Sequence, residues 1–560
     1  MKRLVRFGSL FASLFLLLAA ASPVAAVQHT LGLFLDDSAA CNGYTLFCPL
    51  HYGTAYLIND SGMLCHSWPS IQAGQCAWLL ENGELLHTGN AGNNSYFPNA
   101  GGGGRFMEYD WDGNLVWSFK YSDSMHLQHH EVRQLPNGNV LAIAYDRVPY
   151  SQAIAEGRRP DYLPDSVVWA DEVIEVQQTG ESTGTVIWEW HVQDHLIQDY
   201  DSTKLNFGVV GNHPELVDFN FGPTKACWNH TNSIYYNADL DQILLSVRNN
   251  SEIWVIDHST TTTQAASHTG GKYGHGGDLL YRWGNPQAYR AGTASDQKLF
   301  QQHDAEWIPA GCPGTGHMTI FNNGLGRPGG NYTTVDEIVP PVDSLGNYYL
   351  PTGGHYGPDT MAWIYAASPE TSFHSLEIGC AQREPNGNTL IDDGTHGVFF
   401  EIAPDTSMVW RYVNPVSDSG PLYQGDTAGN DPNHSDQKMS SVFKIHRYAP
   451  DYAGLVGHDL TPQGPIERHL PGVAEQAARI VSAPRLLTNL PGVLTIANLP
   501  AQGEVELYSV SGRLLRRTAV AVGQSSLRLD LKSLPAGACL CVVKGASGEV
   551  ALRAKAVIIR

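Results

Sequence analysis

Apolar and polar residues alternate in short runs along most of this chain, and turn residues separate the runs at close intervals. WLLENGELLHTG from Trp78, EVRQLPNGNVLAIAYD from Glu131, NSIYYNADLDQILLSV from Asn232, AEWIPAGCPGTGHMTIF from Ala305 and AQREPNGNTLIDD from Ala381 each read as apolar strand, tight turn, apolar strand. Asn82-Gly83, Asn137-Gly138 and Asn386-Gly387 supply the positive φ that short hairpins need. Between these lies a second hairpin type ending in tryptophan, at residues 56–68, 108–117, 175–188, 255–283, 401–410 and, more loosely, 337–363. Six recurrences of a paired hairpin predict a repeat architecture. The sixth inner strand, SSVFKIHRY at 440–448, comes last and must pair with the first outer hairpin. The predicted fold is therefore all-β, a six-bladed β-propeller whose last strand closes onto its first unit. Two stacked β-sandwiches are the alternative. The outer tryptophans are read as packing between neighbouring sheets, without chemistry.

After a turn-rich linker at 455–484, period-2 strands return at 493–498, 504–508, 527–531, 539–544 and 551–559. They predict a small C-terminal β-sandwich over 485–560. The other end begins with Met1-Lys2-Arg3, an apolar run to Leu18 and the small-residue exit Val24-Ala25-Ala26. This reads as a signal peptide over 1–26, against the alternative of an N-terminal anchor. The ring is thus expected over 27–454, in a secreted or cell-surface protein. No later stretch has the ~18 uninterrupted apolar residues of a membrane span.

Composition sharpens this picture in three places. With 16% charged residues, 57 glycines and 13 tryptophans, the chain is not a disordered one. A formal net charge of −21 opposes binding to nucleic acid. Nine cysteines, four of them between Cys41 and Cys76, suggest a disulfide staple near the N-terminus and at least one leftover thiol.

The repeat register locates candidate chemistry. Starts of inner strands and ends of returning strands share one face of such a ring, and there stand His130, His230, His303, Arg248, Arg327 and His396. Asn232 follows His230 closely. His126, His129, His374, His434 and His458 are read as loop or packing residues. Imidazoles and guanidinium groups at a channel mouth suit a small sulfate or phosphate group. Clustered histidine also binds zinc or copper, but the arginines oppose a cation, and the register offers calcium only Glu131, Asp304 and Asp392. No metal or other cofactor is expected.

Taken in order, HHEVRQLPNGNVL, NHTNSIYY…ILLSVR, QHD…TIFNNGLGR, AQREPNGNTLIDDGTHGVFFEI and RYAPDYAGLVGHDLTP resemble the bacterial arylsulfotransferase family, from about residue 56 to 462. The family often has Asp where this chain has Asn322. The resemblance implies a six-bladed propeller that moves a sulfuryl group from an aryl sulfate ester to a phenol through a sulfohistidine, without a nucleotide donor. It implies His396 as nucleophile, with His230, His303 and Arg327 holding the sulfate oxygens; His130, Arg248 and Asn232 are expected to bind substrate. The competing expectations are a non-catalytic surface ring that binds a sulfated or phenolic ligand or a protein, and a metal-dependent hydrolase or oxidoreductase. GEVELYSVSGRLL, SLPAGACLCVVK and KAVIIR resemble the C-terminal sorting domains of type IX secretion substrates, which implies the secretion machinery as a partner.

Overall fold

The computed structural model describes residues 27–69, 71–98, 103–469, 475–476, 485–490, 493–497, 499, 502–521, 526–545 and 550–558. The expected signal peptide lies outside them. The chain is all-β, 43% strand and 7% helical. Among the described residues, six antiparallel sheets succeed one another in sequence, five of four strands and the last of five. The second runs through Ala77–Leu79, Leu85–Asn90, Gly104–Tyr109 and Leu115–Lys120, and the third through His126–Gln134, Val140–Pro149, Val167–Gly180 and Thr183–His191. The fourth spans Thr231–Asn237, Gln242–Val247, Glu252–Asp257 and Tyr281–Trp283. The fifth spans His303–Trp307, Met318–Asn322, Thr334–Ile338 and Trp363–Ala366. The sixth comprises Cys380–Arg383, Thr389–Asp393, Val398–Ile402 and Met408–Val413. It gains an unforeseen fifth strand, Gly32–Asp36, on its outer edge.

The first sheet is the closure. Its inner strand is Val442–Tyr448, paired with Tyr44–Pro49, which continues to Thr54–Asn59 and Leu64–Pro69. Gly83, Gly138 and Gly387 hold φ near +86° to +91° in the expected inner turns.

The recurrent tryptophan hairpins have a physical reason. Glu108 faces Trp117, Glu175 faces Trp188, Glu337 faces Trp363 and Glu401 faces Trp410 across their strand pairs. Five indoles then donate to the following sheet. Trp68 reaches the Asp110 carbonyl at 3.1 Å, Trp117 that of Thr183 at 3.1 Å, and Trp188 the Thr260 hydroxyl at 3.1 Å. Trp283 reaches the Pro358 carbonyl at 2.9 Å, and Trp410 reaches that of Asp60 at 2.6 Å, from the sixth sheet to the first. Apolar layers fill the same seams: Leu86, Phe106 and Trp117 pack with Ile174 and Val176, and Leu244 and Val255 with Ala305, Met318 and Ile320. Each fully buried side chain of this size contributes about 1.5–3 kcal/mol.

Two further sheets lie beyond the ring. Arg485–Leu490, Val493–Ala497 and Ser526–Asp530 form one, and Leu514–Val520, Gly503–Ser509, Gly537–Gly545 and Val550–Ile558 the other. Leu494, Ile496 and Leu529 of the first share a core with Val505, Leu507 and Val543 of the second. In the segment read as a linker, Leu455 and Ile466 are buried against the ring.

The staple expected among Cys41, Cys48, Cys65 and Cys76 is not formed, and all nine cysteines are free thiols. Cys76, just before the strand Ala77–Leu79, turns its Sγ to the His130 carbonyl at 3.9 Å, and Cys48 turns its own to the Pro49 carbonyl at 3.9 Å.

Candidate functional site

The inner strands of the third, fourth and fifth sheets all open with a bulge. Pairing slips between Gln128 and Val132, between Thr231 and Ser233, and between His303 and Ala305. The backbone there is left-handed, with φ of 53° at His130, 57° at His230 and 44° at Asp304. Such conformations persist in non-glycine residues only where the surroundings hold them, and a bulge re-aims the side chains beside it. Here the holding bonds are visible. Glu131 Oε2 accepts from Ile234 N at 3.1 Å, Ser233 Oγ from Ala305 N at 3.0 Å, and Asp304 Oδ2 from Ala381 N at 2.9 Å. Each inner strand is thereby bonded to the next.

The result is one cavity of about 970 Å³ lined by His130, His230, His303 and Arg248. Deeper in the ring, Lys444 Nζ meets Glu131, Asp304 and Glu306 at 2.9, 2.5 and 2.8 Å, and Arg133 meets Glu306 at 3.0 Å. Burial raises Asp304, while Lys444 and Arg133 outweigh burial at Glu306 and hold it low. Two of the three calcium candidates are thus committed to this cluster. The third, Asp392, is fully buried, with burial and its neighbour Asp393 pushing its carboxyl well up.

Hydrogen bonds fix the protons of these rings. Asn323 Nδ2 donates to the carbonyls of Ser375 and Ile378, both at 2.9 Å, so its oxygen must face His303 Nδ1, 2.8 Å away. His303 consequently carries its proton on Nδ1 and accepts the Ile378 N–H at Nε2, at 3.3 Å. His129 and His130 share a proton between their Nδ1 atoms at 2.6 Å. His129 Nε2 faces the buried Asp171 Oδ1 at 3.6 Å. Placing the His129 proton on Nε2 avoids setting a lone pair against that carboxylate. His130 then donates from Nδ1, and its Nε2 lone pair is open to the cavity. Tyr145 Oη and Cys227 Sγ both lie against His230 Nδ1, at 3.0 and 2.9 Å.

Burial keeps the imidazoles neutral. It depresses His130 well below the usual range, helped by its imidazole neighbours, and depresses His230 likewise, helped by Arg248. His303 falls to about 3, from burial and then Arg248. Burial pushes the Cys227 thiol up to about 11 and the Tyr145 hydroxyl well above its usual range. The Arg248 guanidinium and the Lys225 ammonium both line this cavity, with the carboxylate of Glu377.

Three expected residues lie elsewhere. His396 follows the returning strand Thr389–Asp393 at the same end of the ring. Its side chain lines a neighbouring cavity of about 1020 Å³ and bonds Asp393 at 2.8 Å, which raises its pKa. Residues 430–438 contribute to the walls of both cavities. The Arg327 guanidinium donates to Thr334 at 3.0 Å and lies over the Phe300 and Tyr332 rings. Asn232 is fully buried and donates to the Gln302 carbonyl at 2.8 Å, stitching the fourth sheet to the fifth. At Ile378 the sixth sheet repeats the left-handed turn, φ 54°, but presents no imidazole.

Conversely, Tyr145, Cys227 and Glu377 were not singled out from the sequence, and His129, read there as a loop or packing residue, bonds His130 at 2.6 Å. Tyr145 lies in a returning strand near its end, so extending the register rule beyond cations would have found it. The register rule does not reach His129, because it lies behind His130.

Solved structures similar to the chain include distant likenesses. A Bacteroides caccae protein of unknown function is 11% identical, TM-score 0.35, covering 66% of this chain and 94% of its own. A streptogramin B lyase is 10% identical, TM-score 0.33, covering 75% and 98%. The periplasmic gluconolactonase of Pseudomonas aeruginosa is 10% identical, TM-score 0.32, covering 88% and 100%. No curated protein matches the chain. Residues 72–339 match the family model described as arylsulfotransferase (ASST), a span that holds His130, His230, Arg248 and His303 but not His396.

Proposed function

We propose that this protein is an aryl-sulfate sulfotransferase of the arylsulfotransferase family, built as a six-bladed β-propeller followed by a small β-sandwich. The observation that carries this reading is the convergence of three neutral imidazoles and a guanidinium on one cavity, within the span matched by the family model. Arg248 and Lys225 hold the sulfate oxygens, where charge accumulates during transfer. His130 Nε2 attacks sulfur and the bond from sulfur to the aryl oxygen breaks. As the ring becomes cationic, His129 takes the Nδ1 proton and Asp171 stabilises the imidazolium that results, the logic of a buried carboxylate behind a histidine. The aryl oxygen leaves as phenolate, and His230 or Glu377 takes the proton of the incoming phenol and passes it to solvent. The acceptor oxygen then attacks sulfur, the nitrogen–sulfur bond breaks, and His129 returns the proton. The reading of 485–560 as a sorting domain for export rests on its sequence likeness.

Incubation with a chromogenic aryl sulfate, with and without a phenol, tests this. Peptide mapping is expected to find an adduct of about 80 Da on His130, since covalent catalysis leaves the group on its nucleophile. His130→Ala is expected to abolish turnover. An adduct on His396 instead would move the nucleophile to the neighbouring cavity. Neither turnover nor adduct would leave a ring that only binds ligands.

A further inference from the structure

Away from the His130 cavity, the segment that follows the third sheet and the connection between the last two strands of the fourth bring together three side chains. His195 closes the short 3-10 turn Val192–His195. His268 lies beyond the helix Thr262–Ala265, and Asp278 precedes the strand Tyr281–Trp283. His195 and Asp278 are 83 positions apart in the chain, which is why no spacing motif reveals them.

Their geometry leaves a charge to be supplied. His195 is fully buried, its ring stacked on Trp190 at 5.7 Å between centroids. Its Nε2 lies 2.8 Å from the Ala265 carbonyl, which only accepts, so that nitrogen carries a proton. Its Nδ1 lies 2.7 Å from Asp278 Oδ1, another acceptor. His268 Nδ1 lies 2.8 Å from the same oxygen. With Nε2 protonated, His195 Nδ1 and Asp278 Oδ1 face each other as two acceptors unless a proton or a metal ion stands between them.

We propose that His195 Nδ1, His268 Nδ1 and Asp278 bind a divalent transition-metal ion of the zinc class. All three ligand atoms lie within 4.8 Å of one another. Two imidazole nitrogens and one carboxylate are a zinc donor set, whereas calcium and magnesium take oxygen. The Ala265 carbonyl on the far ring nitrogen is the outer contact that orients metal-binding histidines. His268 is 60% exposed, so a water has access to a fourth position. The ion would staple the loop carrying His268 and Asp278 to the end of the third sheet, a structural role separate from sulfuryl transfer.

The test uses the full chain, stripped with chelator and titrated with Zn²⁺ by calorimetry and native mass spectrometry. One Zn²⁺ per chain and a rise in thermal midpoint are expected. His268→Ala alters an exposed side chain and keeps the fold; it is expected to lose both effects. If the stripped protein binds no Zn²⁺, or if the variant binds as the parent does, with the free thiols as the ligands, the proposal falls.

Discussion

His130 shows how much of a site one backbone angle decides. Its left-handed φ of 53° turns the ring into the cavity, and burial then removes the proton that a solvent-exposed histidine would share with water at mild acidity. The sign of the pH dependence follows. Burial holds His130 and His230 well below their unfolded value near 6.5 and His303 at about 3, so below 6.5 the unfolded chain binds more protons at each of them, for His303 down to about 3. Each of the three then removes stability as pH falls, by about 1.4 kcal/mol per pH unit. His258 has the opposite sign. Burial pulls it down, but bonds to Asp241 and Glu175 hold it up at about 9. Its contribution is complete below its unfolded value and is lost as pH rises through 9. Urea midpoints across pH are expected to peak between these limits, and His303→Gln to flatten the acid limb by one proton. The three register histidines were legible because a repeat makes equivalent positions comparable. Arg327 and Asn232 stood at plausible positions too, but their side-chain directions depend on partners such as Thr334 and Gln302, which no periodicity encodes.

At the scale of elements, the hairpin ending in tryptophan was the clearest signal in the chain, and it was clear because every copy solves the same packing problem. What the pattern did not carry is where each indole nitrogen goes. Its partner sits in the following sheet, at a backbone position that can be any residue. Trp117→Phe keeps the ring and deletes the bond to Thr183, so a loss of about 1 kcal/mol is expected by chemical denaturation. Trp363 is bonded to no following sheet among the described residues and is overlain by the Arg383 guanidinium instead. Trp363→Phe is expected to cost measurably less, and equal costs would show that the indole bonds add nothing to packing. The Gly32–Asp36 strand went unseen because an edge strand added from far upstream leaves no repeat to follow.

For the whole molecule, the expected closure and the acidic channel cluster turn out to be linked. Lys444 lies on the closing strand Val442–Tyr448 and reaches carboxylates of the third and fifth sheets across the ring. Lys444→Met removes the cation shared by three buried acids and is expected to cost about 3–5 kcal/mol, read as a shift in the urea midpoint. A loss under about 1 kcal/mol would mean that protonation of Asp304 compensates. Closure also sets an order of events. Tyr44–Pro49 forms early in the chain and waits for a partner strand some four hundred residues later, the kind of non-local contact that slows folding. Until that strand arrives, Glu131, Asp304 and Glu306 have no lysine to converge on, and Phe443 is missing from the wall of the cavity. Maturation of the cavity and completion of the ring are then a single kinetic step, so a chain stalled before closure would be inactive as well as open at its edge.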